Sequence, residues 1–257
     1  MRRRVGRSRA VRRAGGPVTQ HALFAPRERA PRPRIDLQLA DASTMLGSVD
    51  SGTADLAIVD PPWDLYQNNP GQVDPANSYA TLPPDVIHEH LRQCVRVLRP
   101  GGRLALWVCW PLLVEAIARR PLPLWLDVPG VRWVTGGAWT KSGRQVGAGY
   151  HWRGRSEPVL VGVRKDGCPA RPPGILRSGF ASDPEEHSAK PVSWQRQWVE
   201  QWVAPGGLVV DPYAGLGSVA CAVKLAGGGR RYVGSEVNPV RHEEAVARVR
   251  ATADRDA

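Results

Sequence analysis

The sequence predicts an α/β protein whose single domain is a doubly wound, mostly parallel sheet. Three observations carry that expectation. Short continuous apolar runs, such as Leu56-Ala57-Ile58-Val59, read as strands buried on both faces. These runs alternate with segments of helical period, an arrangement that covers both faces of a sheet with helices. Two of the runs end in an acid followed by proline, "DPPW" at 60–63 and "DPYAGLGS" at 211–218. Open sheets of this kind bind ligands beyond the carboxyl ends of their strands.

The first 34 residues stand apart from that pattern. They contain eleven arginines and one acid, Glu28, with many Pro and Gly, and have little to bury. They are expected to be disordered. Residues 35–257 hold 24 basic and 23 acidic groups, so nearly all of the net charge of +11 belongs to the tail. Such an arm can neutralise nucleic-acid phosphates, with a steep salt dependence. A solvated extension, residues added by an upstream start and an Arg-rich targeting peptide share its composition. The folded unit is expected to span 35–252, with 253–257 as a short tail.

Within that unit the elements follow in order. "RIDLQLAD" (34–41) reads as a strand ending at Asp41, and "ADLAIVD" (54–60) as the next. "DVIHEHLRQCVRVL" (85–98) sets Ile87, Leu91, Cys94, Val95 and Leu98 on one helical face, with His88 and His90 on the exposed side. Pro83 and Pro84 precede that helix, and "RPGG" is expected to stop it. "RLALWV" (103–108) is another buried strand. "VRWVTGGAWTK" (131–141) and "EPVLVGVR" (157–164) are further strands around a Gly- and Arg-rich loop bordered by Trp139 and Trp152. Its Arg144, Arg153 and Arg155 are candidates for phosphate contacts and lid-like closure. A weakly ordered stretch, 165–189, leads to the helix "PVSWQRQWVEQWV" (191–203). There Trp194, Trp198 and Trp202 form one stripe that packs on the sheet. Finally, 206–228 and 230–250 each read strand, loop, helix.

Composition excludes several classes. The four cysteines, Cys94, Cys109, Cys168 and Cys221, form no close pairs. Neither a metal site nor a disulfide framework is suggested, and a reduced, cytoplasmic setting is expected. The longest apolar stretch, residues 104–114, contains Pro111 and is too short to span a bilayer, so no membrane partner is expected. Oligomeric state is left open, a homodimer included.

"DPYAGLGS" sets Asp211 at a strand end, Gly215 and Gly217 in the turn, and a helix start near Ser218. Glycine permits positive φ and close approach of a ligand, and the helix start adds free N–H groups. The turn is not a phosphate-binding P-loop, and the full GxGxxG dinucleotide pattern is absent. Glu236 ends the next strand, where an acid can hold two ribose hydroxyls. Together these features fit an adenosine site without a pyrophosphate. A structural turn beside a surface acid is the alternative.

These residues carry a resemblance. "DPPW" resembles the catalytic motif of the S-adenosylmethionine-dependent amino-methyltransferases, which act on exocyclic amines of adenine or cytosine. "DPYAGLGS" resembles their cofactor motif, and "HSAKPV" (187–192) the segment that precedes it. The order of motifs matches the permuted beta class of DNA methyltransferases. Residues 78–108 and 137–163 are also similar to the family that methylates adenosine in messenger RNA. The resemblance covers residues 35–250 and implies a Rossmann-like, class I methyltransferase fold.

By that resemblance, the Asp60 carboxylate and the Pro61 carbonyl accept the hydrogens of the target amine and aim its lone pair at the methyl donor. Pro61 and Pro62 hold the acceptors rigid, where preorganised electrostatics is most effective. Trp63 offers a flat face to an unstacked base. Asp211, Tyr213, Gly215, Gly217 and Glu236 line the cofactor, S-adenosyl-L-methionine; His187 and Lys190 sit near its methionine end and Asp41 near its adenine. Tyr213 replaces a frequent Phe, and Leu216 and Ser218 depart from the commoner "AGSGT". The implied activity is site-specific methylation of DNA at N6 of adenine, with no metal. Adenine rests on the leading Asp, by family tendency. Cytosine N4 and RNA adenosine remain alternatives within the enzyme class, and an inactive nucleic-acid-binding subunit outside it. All of this requires Asp60 and Asp211 to meet on one cleft, with the Trp63 indole not plugged into the interior.

Overall fold

The computed structural model describes residues 31–63, 81–118, 121, 123, 125–141, 156–167, 179–182 and 189–253. The strands are β1 (Arg34–Leu39), β2 (Ala54–Val59), β3 (Leu98–Trp107), β4 (Val131–Lys141), β5 (Ser156–Arg164), β6 (Gly179–Ser182), β7 (Leu208–Asp211) and β8 (Arg231–Glu236). The helices are α1 (Ala42–Gly47), α2 (Pro84–Val97), α3 (Trp110–Ala118), α4 (Val192–Trp202), α5 (Ser218–Ala226) and α6 (Pro239–Ala251). Among the described residues, no helix is long and apolar enough to cross a membrane.

All eight strands form one sheet in the order β1-β8-β7-β2-β3-β5-β4-β6. Every neighbouring pair is parallel except those of β5, which runs antiparallel to both β3 and β4. Strand β2 lies at the centre with all six residues buried. Its side chains alternate between two cores. Leu56 and Ile58 join Trp194, Trp198, Val199 and Val219 of α4 and α5. Ala57 and Val59 join Met45, Leu46, Leu91 and Cys94 of α1 and α2. This two-sided burial explains the uninterrupted apolar run. The chain proceeds from β2 toward β3 and from β7 toward β8, so the loops leaving β2 and β7 diverge. Such a switch point is where open sheets of this kind bind ligands.

The structure departs from the sequence reading in several places. Helix α1 stands where only a strand end was expected, and α3 occupies the second half of the long apolar stretch, with Pro111 in its first turn. Helix α2 does end just before "RPGG", at Val97, but the segment itself is strand: β3 begins at Leu98, and Leu98 pairs with Ala54. His90 is buried, not exposed, and Trp139 belongs to the core beside Trp107 instead of bordering a loop. The expected tryptophan stripe does lie against the sheet, with Trp194, Trp198 and Trp202 all buried.

Candidate active site

Register brings the two acid-proline motifs together. Leu56 of β2 sits opposite Val209 of β7, and Ala57 opposite Val210, in parallel. Asp60 and Asp211 therefore leave adjacent strands at the same end of the sheet, as the sequence reading required.

Beyond β2 the chain is held tightly. The Pro61 carbonyl accepts the Trp63 N–H at 2.8 Å, and the Pro62 carbonyl accepts the Leu82 N–H at 3.1 Å. Among the described residues, the Trp63 N–H engages one lone pair of the Pro61 carbonyl. The Trp63 indole is half-buried: its N–H donates to the Trp107 carbonyl at 3.0 Å, and its ring meets Trp125 edge-on at 5.5 Å. The ring is anchored along one edge and is neither plugged into the core nor freely exposed.

Asp60 retains 34% side-chain exposure, and its Oδ2 lies 2.8 Å from Lys190 Nζ. Lys190 also reaches Glu157 Oε2 at 3.1 Å, and Glu157 Oε1 pairs with Lys141 Nζ at 2.5 Å. Burial raises the Asp60 carboxyl above its ordinary range, and Lys190 opposes that shift only in part. Burial would raise Glu157 as well, but Lys190 and Lys141 outweigh it and hold the carboxyl down at about 2.

The glycine-rich turn is fixed from beneath. Asp211 is 2% exposed; its Oδ1 accepts the Tyr213 N–H at 3.2 Å and its Oδ2 accepts the Tyr232 hydroxyl at 3.0 Å. Burial pushes this carboxyl up to about 7; the two hydrogen bonds pull against it, while the Asp60 and Glu236 charges add to it. Gly234 makes the arrangement possible, because a Cβ there would lie 2.1 Å from the Tyr232 hydroxyl. Glu236 clamps the turn from the next strand, accepting the Gly215 N–H at 3.0 Å and the Asn238 N–H at 2.9 Å. Gly215 and Gly217 both have positive φ, +51° and +72°. A Cβ on Gly215 would meet open space, whereas one on Gly217 would press on Ala245 at 3.2 Å, so the second glycine seats the turn on α6.

The expected residues are therefore divided. Asp60, Pro61, Pro62, Trp63 and Lys190 gather after β2, and Asp211, Tyr213, Gly215, Gly217 and Glu236 form the adjoining turn. The Asp211 carboxylate points inward and holds the turn together. Asp41 caps α1, accepting the Thr44 N–H at 2.9 Å and the Thr44 hydroxyl at 2.6 Å, and those bonds lower its pKa. It remains on the same rim, since the neighbouring Ala40 N–H donates to the Glu236 carbonyl at 3.2 Å. His187, Trp152, Arg144, Arg153 and Arg155 lie outside the described residues.

Several contributors escaped the sequence reading. Tyr213 shares a hydrogen bond of 2.5 Å with His90 Nδ1, and His90 Nε2 shares one of 2.8 Å with Ser43. Burial lowers the His90 pKa, against the pull of Asp41 and Glu89. Glu157 and Lys141 are signalled only by the hairpin: a cation ending one strand and an acid opening its antiparallel partner meet at one end.

An eight-stranded, largely parallel sheet with these two strand-end sites on one rim has the class I methyltransferase-like fold. No protein-family model matches the chain. Its sequence is 31% identical over 161 residues to the type II methyltransferase M.HhaII of Haemophilus parahaemolyticus, covering 60% of this chain and 66% of that protein. The chain thus spans slightly less than two thirds of that relative. Among solved structures, the M1.HpyAVI–SAM complex superposes with a TM-score of 0.58 at 16% identity, covering 84% of this chain and 99% of that one. The PvuII DNA methyltransferase, cytosine-N4-specific, gives 0.60 at 14% identity, covering 86% and 89%. The sequence thus resembles that of a type II methyltransferase, and the solved structures share the fold.

Proposed function

We propose that this protein transfers a methyl group from S-adenosyl-L-methionine to N6 of adenine in DNA. The observation that carries the reading is the meeting of Asp60 and the Asp211–Gly217 turn on one rim. The turn fits the cofactor: space is open beside Gly215, and the carboxylates of Asp60 and Glu236 favour a cationic ligand. When bound, the cofactor supplies an electrophilic methyl group carried on a sulfonium. Glu236 holds the ribose end, and Gly215 leaves room for close approach.

An aromatic amine is a poor nucleophile because its lone pair is delocalised into the ring. Asp60 accepts one amine hydrogen and the second lone pair of the Pro61 carbonyl accepts the other. The nitrogen becomes tetrahedral, and its own lone pair turns toward the methyl group. The acceptors require no rearrangement at the moment of reaction, since Pro61 and Pro62 are already fixed by backbone bonds. The adenine must leave the duplex to reach them, and the anchored Trp63 indole gives it a surface to rest on. The Arg-rich residues 1–34 contribute sequence-independent attraction to phosphates.

Incubation of the purified protein with the cofactor and DNA, followed by nucleoside mass spectrometry, tests this directly. N6-methyl-2′-deoxyadenosine in the DNA digest is expected. N4-methylcytosine would move the acceptor to cytosine, methylation confined to RNA would change the substrate, and absence of cofactor binding by calorimetry would leave a silent binding subunit. Asp60→Ala should lower turnover by about two to three powers of ten. Turnover at the parental rate would refute the role of this carboxylate.

A further inference from the structure

Four charged side chains, distant in sequence, form one alternating row at the carboxyl rim. Lys141 ends β4, Glu157 lies at the start of β5, Lys190 precedes α4 and Asp60 follows β2. The contacts run Lys141–Glu157 at 2.5 Å, Glu157–Lys190 at 3.1 Å and Lys190–Asp60 at 2.8 Å. The lysine side chains are only 15% and 16% exposed. Each ammonium also lies over an indole: Lys141 over Trp139 and Lys190 over Trp107, both at 5.2 Å. Those two rings meet edge to face at 6.3 Å, so the core itself supports the row.

Ammonium groups this far from water are tolerated only when paired. Lys190 has two carboxylates and Glu157 has two ammoniums, so the inner members are compensated from both sides. Asp60 is the terminal member. Lys190 engages its Oδ2, and Oδ1 lies outside the row.

We propose that Glu157 and Lys141 are positioning residues for methyl transfer: Lys141 anchors Glu157, and Glu157 anchors the Lys190 ammonium against Asp60 Oδ2, leaving Oδ1 for the incoming amine. The purpose assigned to the row rests on the methyltransferase reading, whereas its electrostatic order can be measured without turnover.

The signs follow from position. Lys190 favours the Asp60 carboxylate most strongly, Glu157 disfavours it as a like charge, and Lys141 favours it more weakly. Buried Asp211 on the neighbouring strand also feels Asp60. The Cys109 thiol, which feels Glu157, is pushed by burial up to about 11 and stays neutral.

The test is a carbon-13 titration of the full-length protein labelled at aspartate carboxyls, with the Asp60 resonance assigned by its loss in Asp60→Asn. Lys190→Met should raise the Asp60 midpoint by about one pH unit or more. Glu157→Gln should lower it, and Lys141→Met should raise it by less than Lys190→Met does. In both Glu157→Gln and Lys141→Met kcat should fall although the Asp60 midpoint moves in opposite directions, with the KM for cofactor little changed. Shifts of one sign in Lys190→Met and Glu157→Gln, or none in either, would overturn the proposal. Thermal unfolding verifies each fold; should Lys190→Met fail it, the opposite shifts of Glu157→Gln and Lys141→Met decide alone. A wild-type chain that methylates nothing would refute the enzymatic reading, and the titration would still decide the row.

Discussion

Replacing Asp211 by Asn should change how the stability of this protein responds to pH. The Asp211 carboxyl is 2% exposed, receives two neutral donors and faces two other acids. Its pKa rises from an ordinary 3.8 to about 7 in the folded state. Below pH 4 the group is protonated whether the chain is folded or not, and its contribution is fully present. As pH rises from about 4 to about 7, the unfolded chain releases this proton while the folded chain retains it, and stability falls. The separation of about 3 units, at about 1.4 kcal/mol each, corresponds to roughly 4 kcal/mol, of which roughly 2–3 kcal/mol is lost between pH 5 and pH 8. In Asp211→Asn the side-chain oxygen still accepts the Tyr213 N–H and the amide can donate to the Tyr232 hydroxyl. The variant should therefore gain roughly 2–3 kcal/mol on the wild type in going from pH 5 to pH 8. Urea unfolding of both proteins at the two pH values measures this. A stability difference unchanged by pH would refute the assignment of a buried, proton-holding carboxyl.

Other outcomes follow from the same geometry. Gly234→Ala forces a methyl group against the Tyr232 hydroxyl and the Asp211 carbonyl, 2.1 and 2.8 Å from the new Cβ; a loss of about 1–3 kcal/mol is expected by thermal or chemical unfolding. Tyr213→Phe removes the bond to His90 and leaves that imidazole with Ser43 alone. It should cost about 1 kcal/mol in urea unfolding and weaken cofactor binding in calorimetry, whereas tighter binding would contradict the role of the His90 contact. Deleting residues 1–30, which carry nine arginines, should weaken DNA binding. The slope of log K against log salt should shrink by about 0.9 for each arginine that engages a phosphate, and an unchanged slope would remove the tail from the interface.

What was legible in the sequence was local. The apolar run of β2, the stripe of α2 and the two strand–turn–helix units at 206–250 announce themselves by periodicity and by Gly and Pro punctuation. Helix α1, six residues long, is too short to display a period, and α3 is hidden in a stretch apolar on all sides. Gly102 has a task the sequence shows only in part: a Cβ there would lie 2.9 Å from the Arg99 carbonyl and 3.2 Å from the Ala54 carbonyl, so the glycine serves both the local bend and the approach of β3 to β2. His90 follows Ile87 by three positions, which places it beside the buried stripe, but a polar residue type suggested the opposite face. Its partners, 47 and 123 residues away, exist only in the folded chain. The candidate site shows the same division. Its two motifs could be read directly, whereas Glu157 and Lys141 depend on a hairpin register and on the one strand that runs against the others.

That reversed strand has a consequence for how the protein can diversify. In an all-parallel sheet every strand delivers its last residue to the reactive edge, and each connection must cross to the far side before returning. Because β5 runs against its neighbours, Lys141 and Ser156 lie at the same edge of the sheet as the ends of β2 and β7. Chain grafted between those two anchors can be exchanged for longer or shorter versions at that edge, each doubling of its length costing only about 0.6 kcal/mol of closure entropy.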